Sequence, residues 1–238
     1  MHLFPKNVSF LSTERYIKNG QSSDNFENFN LALHVNDKKM NVLKNRSILK
    51  DYYELPSDPV WINQTHSSIC IEASLSESIV EADASFTSNP GIVCAILTAD
   101  CLPVFVSKKD GSMVGVAHAG WRGLLSGVIE NLIEKFYSNG DDLVVHLGPA
   151  ISKNYFEVGE EIKDLYLSQN NNFSRSFSFD KHKYYLDLYD AAKVILESLN
   201  IKCISGGDRC TFRESNEFFS YRRDGINSGR ISHLIWIR

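Results

Sequence analysis

The sequence feature that most constrains the fold is a nearly continuous apolar stretch from Gly91 to Val106. Asp100 and Pro103 interrupt it, and the stretch is too short to cross a lipid bilayer. Continuous apolar runs bounded by turn residues are typical of buried strands. The stretch therefore predicts two such strands, Gly91–Thr98 and Leu102–Ser107, separated by a short polar turn.

Further elements are predicted on both sides of this stretch. After it come a KKDG turn at 108–111, a strand over Ser112–Ala117, a helix from Leu124 to Phe136 that Asn139-Gly140 stops, and a strand over Leu143–Leu147. Later come helices over Val158–Leu167 and from an Asp187 cap to Leu199, and strands over Ile201–Ser205 and Leu234–Ile237. Loops are predicted over Asn19–Asn28 and Ser168–Lys183, and Asp37 is the predicted cap of a helix over Met40–Leu49. Hairpins and helices that do not alternate strictly with strands favour a single α+β domain over residues 1–238, with mixed sheets.

Composition excludes several classes of protein. With 43% apolar residues and a net charge of 25 − 29 = −4, the chain has neither the composition of a disordered protein nor a basic footprint for nucleic acid. Its five cysteines are an odd number and include no CxxC pair, which argues against a disulfide framework. The N-terminal segment has no basic start followed by a long apolar run, so no export signal is predicted. We therefore expect a cytoplasmic protein without a membrane partner.

Three residues, each following a predicted strand, form a candidate metal site. His66, Cys101 and His118 offer two imidazole nitrogens and one thiolate sulfur, and zinc binds both readily. A catalytic zinc site keeps three protein ligands and an open position at which water is activated. The spacings of 35 and 17 residues match no zinc finger, so the sequence alone leaves a second interpretation open. In that interpretation Cys101 is a buried small residue and the histidines are structural.

Two arginine-containing segments are candidates for binding an anion. In the HAGWRG segment, Arg122 lies between a predicted strand and a predicted helix, where backbone N–H groups and a guanidinium suit a phosphate or a carboxylate. The alternative is a tight turn with a solvated arginine. In the YRRDG segment at 221–225, Arg222 and Arg223 either bind an anionic or planar ligand or form a salt-bridge cluster with Asp224.

Five blocks of the sequence resemble one known family. They are LTADCLPV at 97–104, VGVAHAGWRGLLSGV at 114–128, LGPAI at 147–151, FEVGEEI at 156–162 and FFSYRRDGINSGRISHLIWI at 218–237. Together they resemble the polyphenol oxidase or laccase-domain family, which is also labelled purine nucleoside phosphorylase/adenosine deaminase and peptidoglycan editing factor.

The resemblance implies a zinc site made by His66, Cys101 and His118, in a layered α+β sandwich with flanking helices related to cysteine-hydrolase toxin folds. It implies phosphorolysis of adenosine, inosine and methylthioadenosine, and deamination of adenosine, with purine nucleosides and phosphate as partners. A homodimer is compatible with it. This chain departs from the family in having Ser67 where a glycine usually follows the histidine, and Ser152-Lys153-Asn154 where the family usually continues Gly-Pro. Arg122 and the backbone N–H groups of its loop are our candidates for holding the phosphate.

Other functions use the same residues. A four-copper laccase needs more imidazoles than seven histidines supply, usually in His-x-His pairs, and no two histidines here are two apart. A single copper at the same ligands is chemically conceivable. A cysteine-type hydrolase or amidase editing peptidoglycan precursors would use Cys101 as nucleophile and His118 as base, without needing His66. A non-enzymatic binding protein is the third alternative.

Overall fold

The computed structural model describes residues 4–75 and 79–238, and this part of the chain forms twelve strands and six α-helices. The strands are β1 (Val8–Ser12), β2 (Cys70–Glu72), β3 (Ala84–Thr87), β4 (Cys94–Thr98), β5 (Leu102–Lys108), β6 (Val114–Ala119), β7 (Leu143–Leu147), β8 (Glu157–Val158), β9 (Phe177–Asp180), β10 (Lys183–Leu186), β11 (Ile204–Gly206) and β12 (Ile231–Ile237). The helices are α1 (Lys39–Tyr52), α2 (Trp121–Leu125), α3 (Val128–Glu134), α4 (Glu160–Gln169), α5 (Leu188–Ser198) and α6 (Tyr221–Asp224). None of these helices is both long and apolar enough to cross a membrane.

The central element is a six-stranded mixed sheet in the order β11-β7-β5-β6-β3-β2. Its inner pairs are antiparallel, whereas β11 and β2 each add in parallel at an edge. A second sheet, in the order β1-β12-β4, is antiparallel throughout. A small third sheet, β8-β10-β9, flanks them. The predicted α+β class with mixed sheets is confirmed.

The two main sheets pack face to face, and helices cover their outer faces. Side chains from β4, β12, β5, β6 and β7 meet in an apolar cluster between the sheets, which includes Ile96, Phe105 and Ile235. The opposite face of the six-stranded sheet packs against α3 and α5 through residues such as Val104 and Leu132. The outer face of the second sheet packs on α1, so the order of layers is helix, sheet, sheet, helix. Because the strands of the central sheet lie inside this sandwich, their apolar runs are nearly unbroken, as the sequence predicted.

The predicted helix over Leu124–Phe136 is wrong as one element. Gly127 has φ 84, a left-handed conformation, and it separates α2 from α3. Glycine adopts this conformation without steric cost, so the apolar spacing continues while the helix does not. The left-handed residue after α3 is Tyr137, with φ 46, and not the predicted Asn139-Gly140 pair.

Other boundaries also differ from the prediction. Helix α4 begins at Glu160 because Val158 belongs to β8. Asp37 does not cap α1: the N-cap residue is Lys38, and the Asp37 carboxylate accepts hydrogen bonds from Ser22 and Asn30 instead. The predicted loop over Ser168–Lys183 contains β9 and a 3₁₀ turn, whereas Asp187 caps α5 as predicted.

Candidate functional site

The β5–β6 pair brings Cys101 and His118 together. Cys101 directly precedes β5, and the register pairs Leu102 with Ala119 and Pro103 with His118, so both side chains lie at the same end of the sheet. Their placement follows from two adjacent antiparallel strands joined by a short hairpin, which fixes the register.

His66 reaches the same place from a loop. No named strand directly precedes it, contrary to the prediction; residues 60 and 63 make only isolated bridges. The loop is held by Gln64, whose side-chain amide donates to the Leu97 carbonyl at 2.8 Å and accepts from the Leu97 N–H at 2.7 Å. This amide acts as a one-residue strand partner for β4 and fixes the loop that carries His66.

Among residues 4–75 and 79–238, these three side chains form the only cluster of three or more His, Cys, Asp or Glu residues that could hold a metal ion. One ligand atom from each of His66, Cys101 and His118 lies within 4.8 Å of the others, and Cys101 Sγ is 4.0 Å from His66 Nε2. In a tetrahedral zinc site, sulfur and nitrogen ligands stand about 3.6 Å apart. Side-chain shifts of less than about 1 Å would therefore close the three donors around one ion. The donor set and its spacing fit zinc.

A buried aspartate that the sequence analysis did not single out connects the two histidines. Asp83 Oδ1 lies 2.7 Å from His118 Nδ1 and accepts the backbone N–H of His66 at 3.1 Å. Its Oδ2 accepts from the backbone N–H groups of Thr65 and Ser67 and from the Ser67 hydroxyl. Asp83 is fully buried. Since His118 uses Nδ1 for this contact, its Nε2 remains for Cys101 or a metal.

Cys101, His118 and Asp83 shift one another's pKa values toward the ionised forms. Burial alone would raise the pKa of the Cys101 thiol, but His118 and His66 outweigh burial and lower this pKa from 9.0 to about 6. Burial would lower the pKa of His118, yet the Cys101 thiolate and the Asp83 carboxylate raise it to about 9. In Asp83, hydrogen bonds from His118 and Ser67 overcome burial and lower the pKa to about 2. At neutral pH and without a metal, Cys101 is therefore a thiolate beside an imidazolium.

The turn before Cys101 depends on Asp100. This residue has φ 91, a conformation that is costly for any side chain with a Cβ. Its buried carboxylate accepts from the Thr211 hydroxyl at 2.7 Å, the Ser220 hydroxyl at 3.0 Å and the Arg222 backbone N–H at 2.6 Å. These contacts hold the strained turn and join it to the segment that carries α6.

Gly120 leaves the space that the cluster needs. A Cβ at this position would lie 2.9 Å from Cys101 Sγ and 3.3 Å from His66 Cδ2. Its φ of −70° is open to every residue, so the glycine is required here for room and not for backbone conformation.

A cavity of about 520 Å³ opens onto the cluster. Its apolar wall is formed by Leu97, Trp121, Ile151, Phe156 and Leu188. Its polar lining includes guanidinium groups from three separate segments: Arg122, Arg222 and Arg230. Asp100 is the one carboxylate among the described lining residues, and its oxygens are already hydrogen-bonded, so the cavity favours an anionic ligand.

The arginines differ in how they are held. Arg122 is exposed and stacks on Trp121 at 4.2 Å, and its guanidinium makes no hydrogen bond or ion pair with the described part of the chain. Arg222 donates to the Glu157 carbonyl at 2.9 Å. Helix α2 has only five residues, so the predicted helix N-terminus contributes little dipole and the charge at this turn comes from Arg122 itself.

The two arginines of the YRRDG segment have different environments. Arg223 makes the predicted salt bridge with Asp224 at 2.8 Å and donates to three backbone carbonyls, so it is structural. Arg222 lines the cavity.

Several residues of the site were missed by the sequence analysis. Asp83 was not proposed, and neither were His34 and Arg230, which line the cavity. The signal for Asp83 was an acidic side chain directly before the strand ASFT, in the run EADASFT.

Comparison with known proteins identifies the family of this chain. The family described as "Multi-copper polyphenol oxidoreductase laccase" matches residues 10–238. The chain is 39% identical over 234 residues to "Purine nucleoside phosphorylase YfiH" of Escherichia coli K12, covering 98% of this chain and 95% of that protein. It is 38% identical to "Purine nucleoside phosphorylase" of Haemophilus influenzae, with the same coverage. The crystal structure of Neisseria meningitidis protein NMB0706, of family DUF152, superposes with a TM-score of 0.94 at 37% identity, covering 100% of this chain and 97% of that one. On this full-length agreement in sequence and fold, the chain belongs to the laccase-like DUF152 family, whose curated members include proteins named purine nucleoside phosphorylase.

Proposed function

We propose that this protein is a zinc-dependent purine nucleoside phosphorylase. It would convert adenosine, inosine and methylthioadenosine to the free base and the corresponding ribose 1-phosphate. The observation that carries the proposal is the cluster of His66, Cys101 and His118 at the wall of a cavity lined by three arginines. The relatives named purine nucleoside phosphorylase support the substrate class.

The cavity suits both substrates. Its volume lies within the range of about 300–1,000 Å³ that is usual for small-molecule sites. A nucleoside would lie against the apolar wall, where Trp121 and Phe156 offer aromatic surface to a purine. Phosphate would be held by Arg122 and Arg222 through charge-assisted hydrogen bonds.

The chain's own groups would position the reactants. Zinc held by His66, Cys101 and His118 would supply a Lewis acid at this end of the cavity. Arg122 and Arg222 orient the phosphate toward the ribose C1′, where a new C–O bond forms as the bond to the purine nitrogen breaks. Closeness and orientation lower the barrier because the entropy of bringing two reactants together is supplied by binding. We propose adenosine deamination, in which water replaces the amino group at C6 of the purine and ammonia leaves, as a second reaction of this site.

A second candidate is a cysteine hydrolase that edits peptidoglycan precursors. One observation favours it: Asp83, His118 and Cys101 form a connected carboxylate–imidazole–thiol series, and the thiol pKa is lowered to about 6. Such a series activates a cysteine nucleophile. The hydrolase mechanism gives His66 no chemical role, whereas the metal mechanism needs His66 as a ligand. A single copper in place of zinc is the remaining alternative for the cluster.

The deciding experiment combines metal analysis with an assay. Protein purified without added metal is analysed for zinc and copper, and product formation from adenosine is followed with and without phosphate, before and after chelation. We expect stoichiometric zinc, phosphate-dependent release of adenine, and loss of both zinc and turnover in Cys101→Ala and His66→Ala. Cys203→Ala is a matched control, since Cys203 is a half-buried free cysteine outside the cavity.

Each alternative predicts a different result. Turnover that survives complete removal of metal and the His66→Ala change would refute the zinc mechanism and favour the hydrolase. Zinc binding without any nucleoside turnover, but with activity on a muramyl peptide, would refute the phosphorylase.

We also propose that the protein works in the cytoplasm. All five cysteines are free thiols, which suits a reducing compartment.

A further inference from the structure

We propose that Asp83 is the positioning residue of the metal site, because one buried carboxylate orients both His66 and His118. The inference rests on the zinc site of the proposed function. Asp83 Oδ1 lies 2.7 Å from His118 Nδ1 and accepts a hydrogen bond from the His66 backbone N–H at 3.1 Å. The Asp83 main chain adds a further tie, since its carbonyl accepts the His118 backbone N–H at 2.7 Å.

The groups that contact the Asp83 carboxylate are hydrogen-bond donors, so both of its oxygens must act as acceptors. Besides the two groups on Oδ1, three donors meet Oδ2: the backbone N–H groups of Thr65 and Ser67, and the Ser67 hydroxyl. A backbone N–H cannot reverse its role. An asparagine here would therefore turn its NH₂ group against at least one N–H, whichever way its amide is flipped. Only an ionised carboxylate satisfies the whole set, and Asp83 has no exposed surface through which water could help.

The contact to His118 decides which nitrogen is left for a metal. A carboxylate on Nδ1 keeps the proton there and directs Nε2 to the side of Cys101. A carboxylate behind a histidine ligand fixes its ring and raises its basicity, and loss of such a partner typically lowers metal affinity by 10- to 100-fold.

The contact to His66 sets a strained backbone. His66 has φ 61, a region that non-glycine residues rarely occupy. The carboxylate accepts three consecutive N–H groups around this residue, from Thr65, His66 and Ser67, and so favours the turn that aims the His66 ring at the cluster.

Charge balance supports the same role. Two neutral histidines and one thiolate leave a divalent ion with one positive charge uncompensated. The buried Asp83 carboxylate would supply the missing negative charge while its two oxygens stay hydrogen-bonded to His118 and Ser67.

The test measures zinc affinity by competition with a chromophoric chelator in wild type, Asp83→Asn and the control Asp110→Asn. Asp110 also accepts a backbone N–H and a serine hydroxyl, both from Ser112, but it is exposed in the β5–β6 hairpin. We expect a 10- to 100-fold loss of affinity in D83N and less than a threefold change in D110N. With cobalt as probe, the thiolate-to-metal absorption band should shift in D83N only. Unchanged affinity and an unchanged cobalt spectrum in folded D83N would overturn the proposal.

A second measurement separates the possible failures. In metal-free wild type at pH 7, the Nδ1 proton of His118 should give a downfield, slowly exchanging NMR resonance that D110N retains. Its absence from wild type would overturn the proposal even if D83N does not fold. Wild-type protein that shows this resonance but binds no zinc would refute the proposed metal function and leave only the orientation of His118 by Asp83. A purely structural role predicts a lower melting temperature in D83N with unchanged zinc affinity of the folded fraction.

Discussion

Adding a single methyl group at Gly120 should disable the metal site while leaving the fold in place. The Cβ of Gly120→Ala would lie 2.9 Å from Cys101 Sγ, whereas comfortable heavy-atom contacts begin at about 3.5 Å. The sulfur, or the turn that carries it, must therefore move by at least about 0.6 Å. Sites of this kind tolerate errors of about 0.5 Å, and a misplacement of about 1 Å costs about 100-fold in rate. Because φ at Gly120 is −70°, no backbone strain is added, and overpacking should cost about 1–3 kcal/mol of stability.

The assay measures bound zinc, chelator-competition affinity and phosphate-dependent adenine release in G120A. We expect at least tenfold weaker zinc binding and about 100-fold slower turnover, with cooperative unfolding preserved. Gly159→Ala is the matched control: it also has a negative φ, but the three atoms nearest to its Cβ would be those of the exposed Glu161 carboxylate, which can swing away. Wild-type zinc affinity and turnover in G120A would refute the claim that a glycine is required at position 120 for space beside the thiolate.

Three further perturbations test other parts of the structure. Arg222→Gln should raise the KM for phosphate about tenfold or more without loss of zinc, because one charge-assisted contact contributes about 1.5–3 kcal/mol. An unchanged KM for phosphate would show that Arg222 does not bind this anion. In chelated protein, the rate of Cys101 alkylation should follow a pKa near 6, and His118→Gln should shift the profile to higher pH because only His66 then opposes the effect of burial; mass-spectrometric labelling from pH 5 to 10 measures both. Burial lowers the pKa of His233 to about 3, from 6.5 in the unfolded chain. At pH values between these two, the unfolded chain therefore binds a proton at His233 that the folded chain does not bind. Stability should therefore fall with decreasing pH by about 1.4 kcal/mol per unit over that window, and denaturant titrations of His233→Gln should lack this contribution to the slope.

The parts of the fold that could be predicted are those in which local pattern and burial agree. The strands around residues 94–98 and 102–108 were predicted because both faces of the central sheet are buried, which makes an apolar run unambiguous. Helix α5 was predicted because its Asp187 cap and apolar spacing point to the same element. The break at Gly127 was missed because apolar spacing does not report φ, and β9 was missed because a half-exposed strand at the rim of a small sheet has a polar sequence.

The candidate ligands could be chosen from the sequence for their chemistry, but their supports could not. His66, Cys101 and His118 stand out because few residue types bind zinc. Asp83 and Asp100 act through hydrogen bonds to residues 16 to 122 positions away, such as Ser67 and Arg222, and no spacing rule encodes such partners. Arg230 lines the cavity because β12 pairs with β4, a contact that only the folded sheet creates.

The pairing of β12 between β1 and β4 also has a consequence for biosynthesis. Ile231 lies opposite Thr98, two residues before Asp100, and Ile237 lies opposite Val8. During translation, the ribosome must deliver the last strand before the second sheet can close around the turn that presents Cys101. From the synthesis of His118 until that of β12 at Ile231, the nascent chain therefore carries its thiolate and both imidazoles with the site unassembled. Acquisition of metal should accordingly follow the synthesis of β12 and report closure of the second sheet.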